Sequence, residues 1–264
     1  VQVYLNSTVE AETLLGTAND TTAAAQAIDG SSIDLVGGSA SRLAAVGQVG
    51  NTKLVDVSEI GWSNTYYNYP RAFTYAGAGT NKLFMANGDF SEVSLDGDIA
   101  LLGYMDHTSN GLAFAGTDLY SGAGFGSTLY KIDPTDGSTL SSVNVTEDGF
   151  DVEGFNGLAT DPTSSLLYAI IRPNGSSTSQ RYLATIDVTT GVATMIGDMG
   201  NRFSGIAFAN DGKLYAATGN SATPDHTLFE IDKTDASSEL LAALPTLSGG
   251  GQALAFNSDN GLLY

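Results

Sequence analysis

The chain has 264 residues, with 29 Asp plus Glu against 10 Lys plus Arg and a formal net charge of −19. This balance disfavours binding to nucleic acid or to an anionic membrane surface, because both need a face of cations. The absence of cysteine excludes disulfides and thiolate chemistry, and no apolar run approaches the roughly 20 residues of a membrane-spanning helix.

The first predicted elements are two short strands near Leu5 and Leu14. Residues 5–16 align without a gap to residues 186–197, which come much later in the chain and form the second half of a repeated unit. The start of the chain therefore has the pattern of a third and a fourth strand that lack a first and a second.

Two weak copies of one apolar phrase come next, at residues 28–57 and 73–103, and three clear copies follow. Each clear copy contains four short apolar runs separated by Gly, Asp, Asn and Thr, which is typical of four strands joined by tight turns. The first clear copy reads Leu112-Ala-Phe, Leu119-Tyr120, Leu129-Tyr-Lys-Ile132-Asp133 and Leu140. A repeat of this length and pattern indicates the blades of a β-propeller.

The spacing of the copies predicts the number of blades. The first-strand anchors are separated by 39 to 48 residues and are Ile28, Phe73, Leu112, Leu158, Ile206 and Leu254. After the last anchor the chain supplies only two strands, and its first residues supply the other two. We therefore predict an all-β fold, a six-bladed β-propeller of four-stranded antiparallel blades whose last blade is closed by both termini, because an open ring would leave exposed strand edges.

In this interpretation residues 1–264 form a single β-propeller domain. The composite blade combines residues 253–264 with residues 1–20, and the other blades start near residues 25, 72, 111, 157 and 205. A second possibility is that the chain is a fragment of a longer array of blades, with the break falling inside a blade.

The blade phrase places Leu-Tyr at the start of the second strand, and Ile-Asp followed by Thr-Gly after the third, as in residues 183–197. In these features the chain resembles secreted bacterial repeat β-propellers of the YVTN, NHL and quinoprotein-like groups, including surface proteins with such blades. The resemblance is strong from residue 112 onward and weak before residue 71. It implies the fold and export, but no single activity, because propellers serve as lectins, hydrolases, dehydrogenases, scaffolds and adhesins.

Two further features favour an extracellular or cell-surface protein. The chain begins at Val1, without an initiator Met or a basic and apolar leader, which suggests a processed chain or an excised domain. It also contains four Asn-x-Ser/Thr sequons, which are candidate glycosylation sites of exported proteins. They are Asn6, Asn19, Asn144 and Asn174.

The connections within a blade predict which side of the propeller carries function. Short Asp- and Gly-containing segments such as 133–137 join the third strand to the fourth, and we expect their aspartates to cap β-turns rather than to bind metal. The connections on the opposite face are longer and more varied, and binding residues concentrate on such loops.

An aromatic segment on that opposite face holds the only Trp and three of the 12 Tyr within ten residues. Flat aromatic rings beside Asn and Arg donors hold sugars or aromatic partners, although the same rings could instead fill the gap between the divergent early blades. The predicted binding residues are Trp62, Tyr66, Tyr67, Tyr69, Arg71 and, from another loop, Arg202.

An acidic segment places four carboxylates at residues 147–153. Oxygen ligands suit Ca²⁺, so calcium is the expected cofactor, although a solvated acidic loop would have the same composition. The predicted ligands are Asp148, Asp151, Glu153 and Asn156. Glu153 before an inner strand also resembles the metal-binding Glu of gluconolactonase-type six-bladed propellers, but the Asn and Asp that those enzymes add have no match in this sequence.

The two histidines follow aspartates, in Asp106-His107 and Asp225-His226, so either could be an oriented base. The chain has no Gly-x-Ser-x-Gly motif, and we expect both histidines to be surface polar residues.

The scarcity of catalytic residue types favours a non-catalytic structural or adhesive protein that presents a loop face to a glycan, a cation or a neighbouring subunit. The alternative is a metal-dependent hydrolase or lactonase at the channel mouth, with Glu153 as a ligand, His107 as a base and oxygens from Asp106, Asn110, Asn156 or Asp225. A protein-interaction scaffold within a larger assembly is a third possibility. The expected partners are therefore glycans or neighbouring subunits, with no nucleic acid and no membrane insertion.

Overall fold

A computed structural model describes residues 71–264, except 78, 81, 96–97, 178 and 245–252, together with four short strands nearer the start of the chain. The chain divides into two compact units, Val1–Asp56 and Val57–Tyr264. In the first unit one strand pair is parallel and one is antiparallel. The parallel pair is β1 (Thr8–Val9) with β4 (Ala45–Val46), and the antiparallel pair is β2 (Ser32–Asp34) with β3 (Ser41–Leu43).

The second unit contains four antiparallel four-stranded sheets, each made of four consecutive strands. Blade A consists of β5 (Ala72–Tyr75), β6 (Lys82–Ala86), β7 (Asp89–Ser94) and β8 (Ile99–Tyr104). Blade B consists of β9 (Ser109–Ala115), β10 (Asp118–Ala123), β11 (Thr128–Ile132) and β12 (Thr139–Asn144).

The next two blades are separated from blade B by a small hairpin of β13 (Thr146–Glu147) and β14 (Phe150–Asp151). Blade C consists of β15 (Gly154–Thr160), β16 (Leu167–Arg172), β17 (Tyr182–Ile186) and β18 (Ala193–Asp198). Blade D consists of β19 (Phe203–Phe208), β20 (Leu214–Thr218), β21 (Thr227–Ile231) and β22 (Ser238–Ala243). A terminal hairpin follows, of β23 (Phe256–Asn257) and β24 (Leu262–Leu263).

The first strands of the blades surround a common axis, which makes this unit a β-propeller. Strands β5, β9, β15 and β19 are successive neighbours, and a cavity of about 10 Å³ lies between them. One residue at the same position of each blade and of the terminal hairpin lines this cavity: Ala72, Gly111, Gly157, Ala253 and Gly205. The inner strands approach each other closely there, since a Cβ on Gly111 would lie 2.8 Å from the amide nitrogen of Leu158.

The hydrophobic core lies between neighbouring blades. Each blade is covered on both sides, so its middle strands are apolar almost throughout, and all six residues of β16 are buried. Phe155 and Ile171 pack against Leu129 of blade B, whereas Ile170 and Leu183 pack against Phe203 of blade D. The repeated Leu, Ile and Ala of the blade phrase are therefore the residues that hold adjacent blades together.

The connections between third and fourth strands are aspartate-capped turns, as the sequence predicts. Asp133 Oδ1 accepts hydrogen bonds from the backbone nitrogen and the hydroxyl of Thr135, at 2.8 and 2.6 Å. Asp232 accepts the same pair from Thr234. The side chain thus replaces a backbone acceptor in the turn, and these aspartates are structural residues.

The prediction of six blades differs from the structure, which shows four four-stranded blades and the terminal hairpin in the described residues. Asp259 of this hairpin accepts hydrogen bonds from the Tyr75 hydroxyl and the Gly79 amide of blade A, and Ser258 accepts one from Asn210 of blade D. The hairpin therefore lies between blades D and A, in contact with both.

The blade predicted to start near residue 25 lies, apart from β2, β3 and β4, outside the described residues, and these three strands occur only in two-stranded pairs. The spacing of apolar runs does not fix which strands pair, so spacing alone does not establish the number of blades. The predicted closure by residues 1–20 falls, apart from β1, outside the described residues. No helix in the described part of the chain is long and apolar enough to cross a membrane.

Candidate ligand-binding face

The two faces of the propeller carry different connections between strands. The turn face holds the connections from first to second strand and from third to fourth strand. The loop face holds the connections from second to third strand and those that lead from one blade to the next. The loop face includes residues 105–108, 145–153, 173–181, 199–202 and 219–226.

A polar residue occupies the same position at the loop-face end of three inner strands. Asn110, Asn156 and Ser204 each precede an inner-strand glycine, and the pairing register with the second strand skips each of them. Such β-bulges change the direction of a side chain and are common beside functional sites. Arg71 occupies the corresponding position of blade A and lines the axial cavity with Asn110 and Ser204.

One atom of each asparagine amide in this set has no hydrogen-bond partner. Asn110 Oδ1 and Asn156 Nδ2 are both buried, and neither is within hydrogen-bonding distance of another group. Leaving a buried amide group unpaired costs about 1–3 kcal/mol, and unpaired buried groups in a folded protein require an explanation. A ligand that donates to one and accepts from the other would satisfy both.

Arg172 anchors the loop face near these residues. Its side chain is 8% exposed, and its guanidinium donates to the carbonyl oxygens of Glu153 at 2.7 Å and Gly124 at 3.3 Å. The Arg172 guanidinium also lies 5.6 Å from the ring centre of Phe125, which is 77% exposed. A Cβ on Gly124 would lie 2.7 Å from the Asn110 amide, so Arg172 and Asn110 flank the same short segment.

Two further arginines lie close to Arg172. Arg181 follows the loop that Arg172 begins, and Arg202 is in the connection to blade D, whose Met199 amide donates to the Arg181 carbonyl oxygen at 2.9 Å. Burial, followed by the charges of Arg172 and Arg202, lowers the pKa of Arg181 to about 10. The Nε of Arg202 is buried without a hydrogen-bond partner. We call Arg172, Arg181 and Arg202 the arginine cluster.

The lysines have the opposite distribution. The four lysines of the described blades lie at or next to the turn face, and each is paired with a carboxylate. The pairs are Lys82 with Glu92 at 2.9 Å, Lys131 with Asp118 at 2.7 Å, Lys213 with Glu230 at 3.6 Å and Lys233 with Asp161 at 2.6 Å. In the described part of the chain, neither Arg172 nor Arg202 forms an ion pair. The lysines are thus paired with carboxylates, whereas Arg172 and Arg202 are not, although the loop face also carries acidic residues such as Glu153 and Asp225.

Only some of the binding residues predicted around the aromatic segment belong to the described part of the chain. Trp62, Tyr66, Tyr67 and Tyr69 lie outside the described residues. Arg71 is exposed at the mouth of the axial cavity, and Arg202 belongs to the arginine cluster. Arg172 and Arg181 were not predicted from the sequence, although both delimit a loop that was assigned to this face. The sequence feature that could have identified them is that the loops of this face contain arginine and no lysine.

The acidic residues predicted to bind calcium occupy separate environments. Asp148 has a φ of +48° at the tip of the β13–β14 hairpin, and Asp151 is exposed in β14. The Glu153 carboxylate accepts a hydrogen bond from the Gly175 amide at 3.1 Å. Within the residues that the structure describes, no three acidic or histidine side chains converge as a metal site. Calcium binding stays a prediction.

The expectation that both histidines are surface residues is wrong. The His226 residue and the His107 side chain are each 6% exposed. His107 stacks on Tyr130 with ring centres 3.7 Å apart. Burial lowers the pKa of His107, and its hydrogen bond to Asp106 only partly opposes this shift.

His107 links the exposed Asp106 to the buried Ser121 in a chain of hydrogen bonds that has the connectivity of a catalytic triad. Its Nδ1 is 2.9 Å from Asp106 Oδ1, and its Nε2 is 2.7 Å from Ser121 Oγ. Ser121, however, is fully buried and its hydroxyl donates to Ser109 Oγ at 2.9 Å. A nucleophile must reach its substrate, so the arrangement links the 105–108 segment to blade B and does not form an accessible active site.

The two sequons within the described residues have exposed asparagines. Asn144 ends β12, and Asn174 lies in the loop between Arg172 and Arg181. Exposure is necessary for glycan attachment. The sequons at Asn6 and Asn19 lie outside the described residues.

No protein-family model matches the chain, and no curated protein matches it. Solved structures do match it. The glutaminyl cyclase of Myxococcus xanthus is 19% identical over 55% of this chain and 66% of its own, with a TM-score of 0.43. The WD40 β-propeller domain of Doa1 is 9% identical over 76% and 90%, with a TM-score of 0.42. A gluconolactonase of Xanthomonas campestris is 16% identical over 66% and 62%, with a TM-score of 0.43.

The chain thus spans less than two thirds of the length of both enzymes. Similarity at this level carries no statement about activity. The function must therefore be argued from the loop face itself.

Proposed function

We propose that this protein is a non-catalytic β-propeller of the cell surface or extracellular space, and that its loop face binds a glycan or a neighbouring subunit. The observation that carries this proposal is the arginine cluster on one face, in which neither Arg172 nor Arg202 forms an ion pair within the described residues, together with the unpaired Oδ1 of Asn110 and Nδ2 of Asn156. The turn face, by contrast, has its aspartates in turns and its lysines in ion pairs.

The energetics support a binding role for these groups. Burying a charge without a partner destabilises a fold, because the charge loses its hydration. A chain with only 10 Lys plus Arg nevertheless places Arg202, whose Nε is buried without a hydrogen-bond partner, beside another arginine, Arg181. Retaining such a cluster is readily explained if a ligand completes it.

The alternative of a metal-dependent lactonase receives less support from the same face. Glu153, its proposed ligand, is hydrogen-bonded to the Gly175 amide, and His107, its proposed base, is buried against Tyr130. The axial cavity of about 10 Å³ is close to the smallest volume that accepts one water molecule. These features favour binding on the rim of the loop face over chemistry in the channel.

Binding to a broad glycan array, together with gel filtration over a range of concentrations, tests the proposal. We expect the protein either to bind a class of glycans or to self-associate, and Arg202→Asp to weaken that binding. Lys213→Asp is the matched control, since it reverses an exposed charge on the turn face. Fluorescence of Trp62, the only tryptophan, reports whether the aromatic segment takes part.

A monomeric protein that binds no glycan would contradict the proposal. Hydrolysis of a lactone that requires an added divalent metal ion would favour the alternative. Glycan attachment at Asn144 or Asn174, detected by mass spectrometry of the protein from its native source, would support the proposed location.

A further inference from the structure

The loop face is rich in hydrogen-bond donors with no acceptor opposite them. Arg202 Nε and Asn156 Nδ2 are buried donors without partners, and Arg71 is exposed beside the axial cavity. The described residues form no group of acidic or histidine side chains here that could hold a metal ion. Adjacent guanidinium groups and donors without acceptors suit an anion rather than a cation.

The remainder of the chain restricts the size of this anion. The net charge is −19, and charges separated by more than about 10 Å are largely screened at ordinary ionic strength. A long polyanion would extend from the arginine cluster over an acidic surface and be repelled, whereas one compact anionic group would interact mainly with the arginines. Nucleic acid and extended polyanions are therefore poor ligands.

An apolar surface adjoins the arginine cluster. Phe125 is 77% exposed and lies 5.6 Å from the guanidinium of Arg172. An exposed aromatic ring offers a flat surface on which the C–H face of a sugar can stack. Amide groups such as those of Asn110 and Asn156 can both donate to and accept from sugar hydroxyls.

We propose that the loop face binds a single acidic sugar unit, with its anionic group at the arginine cluster and its ring against Phe125. This inference rests on the proposed function and specifies its ligand. Arg202 provides the specificity for the anionic group, because its guanidinium has an unused donor and a planar arrangement that matches a carboxylate or sulfate.

The test is calorimetric titration of the whole chain with a glucuronic-acid-containing disaccharide, the corresponding neutral glucose disaccharide, inorganic sulfate and inorganic phosphate. We expect the acidic disaccharide to bind roughly tenfold or more tightly than the neutral one. Free sulfate and phosphate should bind more weakly than the acidic sugar, because they make no contact with Phe125. Raising the salt concentration should weaken binding of the acidic disaccharide.

Variants separate the two contacts. Arg202→Gln should remove the preference for the acidic disaccharide, and Phe125→Ala should weaken both disaccharides while leaving sulfate binding unchanged. Lys213→Gln should change neither. Phe125 is exposed, so its variant tests the proposal even if Arg202→Gln fails to fold.

Equal binding of the neutral and acidic disaccharides would overturn this inference and leave the proposed function intact. Sulfate or phosphate binding as tight as that of the acidic sugar would also overturn it, by removing the role of the sugar ring. No binding of any of these ligands would overturn it as well, and the glycan array would then decide separately whether the loop face binds a glycan at all.

Discussion

Lys233 Nζ lies 2.6 Å from Oδ2 of Asp161 and joins blade D to blade C on the turn face. The Asp161 side chain is 1% exposed and that of Lys233 is 30% exposed. Burial alone would raise the pKa of Asp161, but hydrogen bonds from Lys233, Thr163 and Ser164 together hold it below its usual range. Asp161 is therefore ionised over the ordinary pH range, and its contact with Lys233 links two blades whose shared core is apolar.

Removing the positive partner should destabilise the propeller. Lys233→Met keeps an apolar stem beside Phe208 but leaves the buried Asp161 carboxylate with fewer donors. We expect the free energy of unfolding to fall by about 2 kcal/mol, measured by urea denaturation. Lys213→Met is the control, because its more exposed pair with Glu230 should contribute less than about 1 kcal/mol. Equal losses in the two variants would contradict this account.

Asp161 should also make stability depend on acid pH. Its pKa is lower in the folded state than in the unfolded state, so its contribution is present above the unfolded value of about 3.9 and is lost as pH falls through the lower folded value. We expect Asp161→Asn to be less stable than the parent protein at pH 7. The difference should narrow below about pH 4, as measured by urea denaturation at several pH values. If the two proteins differed in unfolding free energy by the same amount at every pH, the role given to the Asp161 carboxylate would be contradicted.

His107 should titrate below its usual pKa of about 6.5. Burial, the largest effect, lowers its pKa, whereas the Asp106 hydrogen bond and charge raise it. The folded state thus favours the neutral ring, so stability is present above about pH 6.5 and decreases as pH falls through the folded pKa. NMR titration of the ring protons measures the midpoint, and His226→Gln assigns the signals. Asp106→Asn should lower the midpoint further, and a rise would contradict the observed contact.

Gly103 should not tolerate a larger residue. A Cβ at this position would meet the carbonyl oxygen of Asp136 in the next blade, far inside van der Waals contact. We expect Gly103→Ala to reduce the free energy of unfolding by about 1–3 kcal/mol, because the blades must move apart. Ala100→Ser is the control, since it adds one atom to an exposed residue of the same strand. An unchanged melting temperature for Gly103→Ala would show that the blades are less tightly apposed.

The predicted calcium site has a direct test. If the β13–β14 hairpin binds calcium through Asp148 and Asp151, calcium should raise the melting temperature. The affinity should be in the range of about 10⁻⁴ to 10⁻³ M that is usual for extracellular modules. Asp148→Asn combined with Asp151→Asn should abolish the shift. Asp198→Asn, at the loop-face end of β18, is the control for general charge effects. No shift in the parent protein would exclude this site.

Much of the fold is predictable from the repeated phrase. Short apolar strands, Asp-containing turns and the Leu, Ile and Ala of the core depend on residues close together in the chain, and Asp133 and Asp232 cap turns as their local sequence indicates. The number of blades cannot be predicted from local sequence in this way, because it depends on whether copies far apart in the chain contact each other. Asp259 contacts blade A directly, and no local pattern reveals that contact.

The candidate site likewise has features that the sequence predicts and features that depend on tertiary contacts. From the sequence alone, the loop face and the involvement of Arg71 and Arg202 could be proposed, since blade topology sorts connections by face. Only the tertiary structure brought Arg172, Arg181 and Arg202 together and buried His107 and His226. Charge proximity and burial depend on how blades twist and pack. Those are properties of contacts between residues far apart in the chain, whereas periodicity and turn chemistry are properties of neighbours.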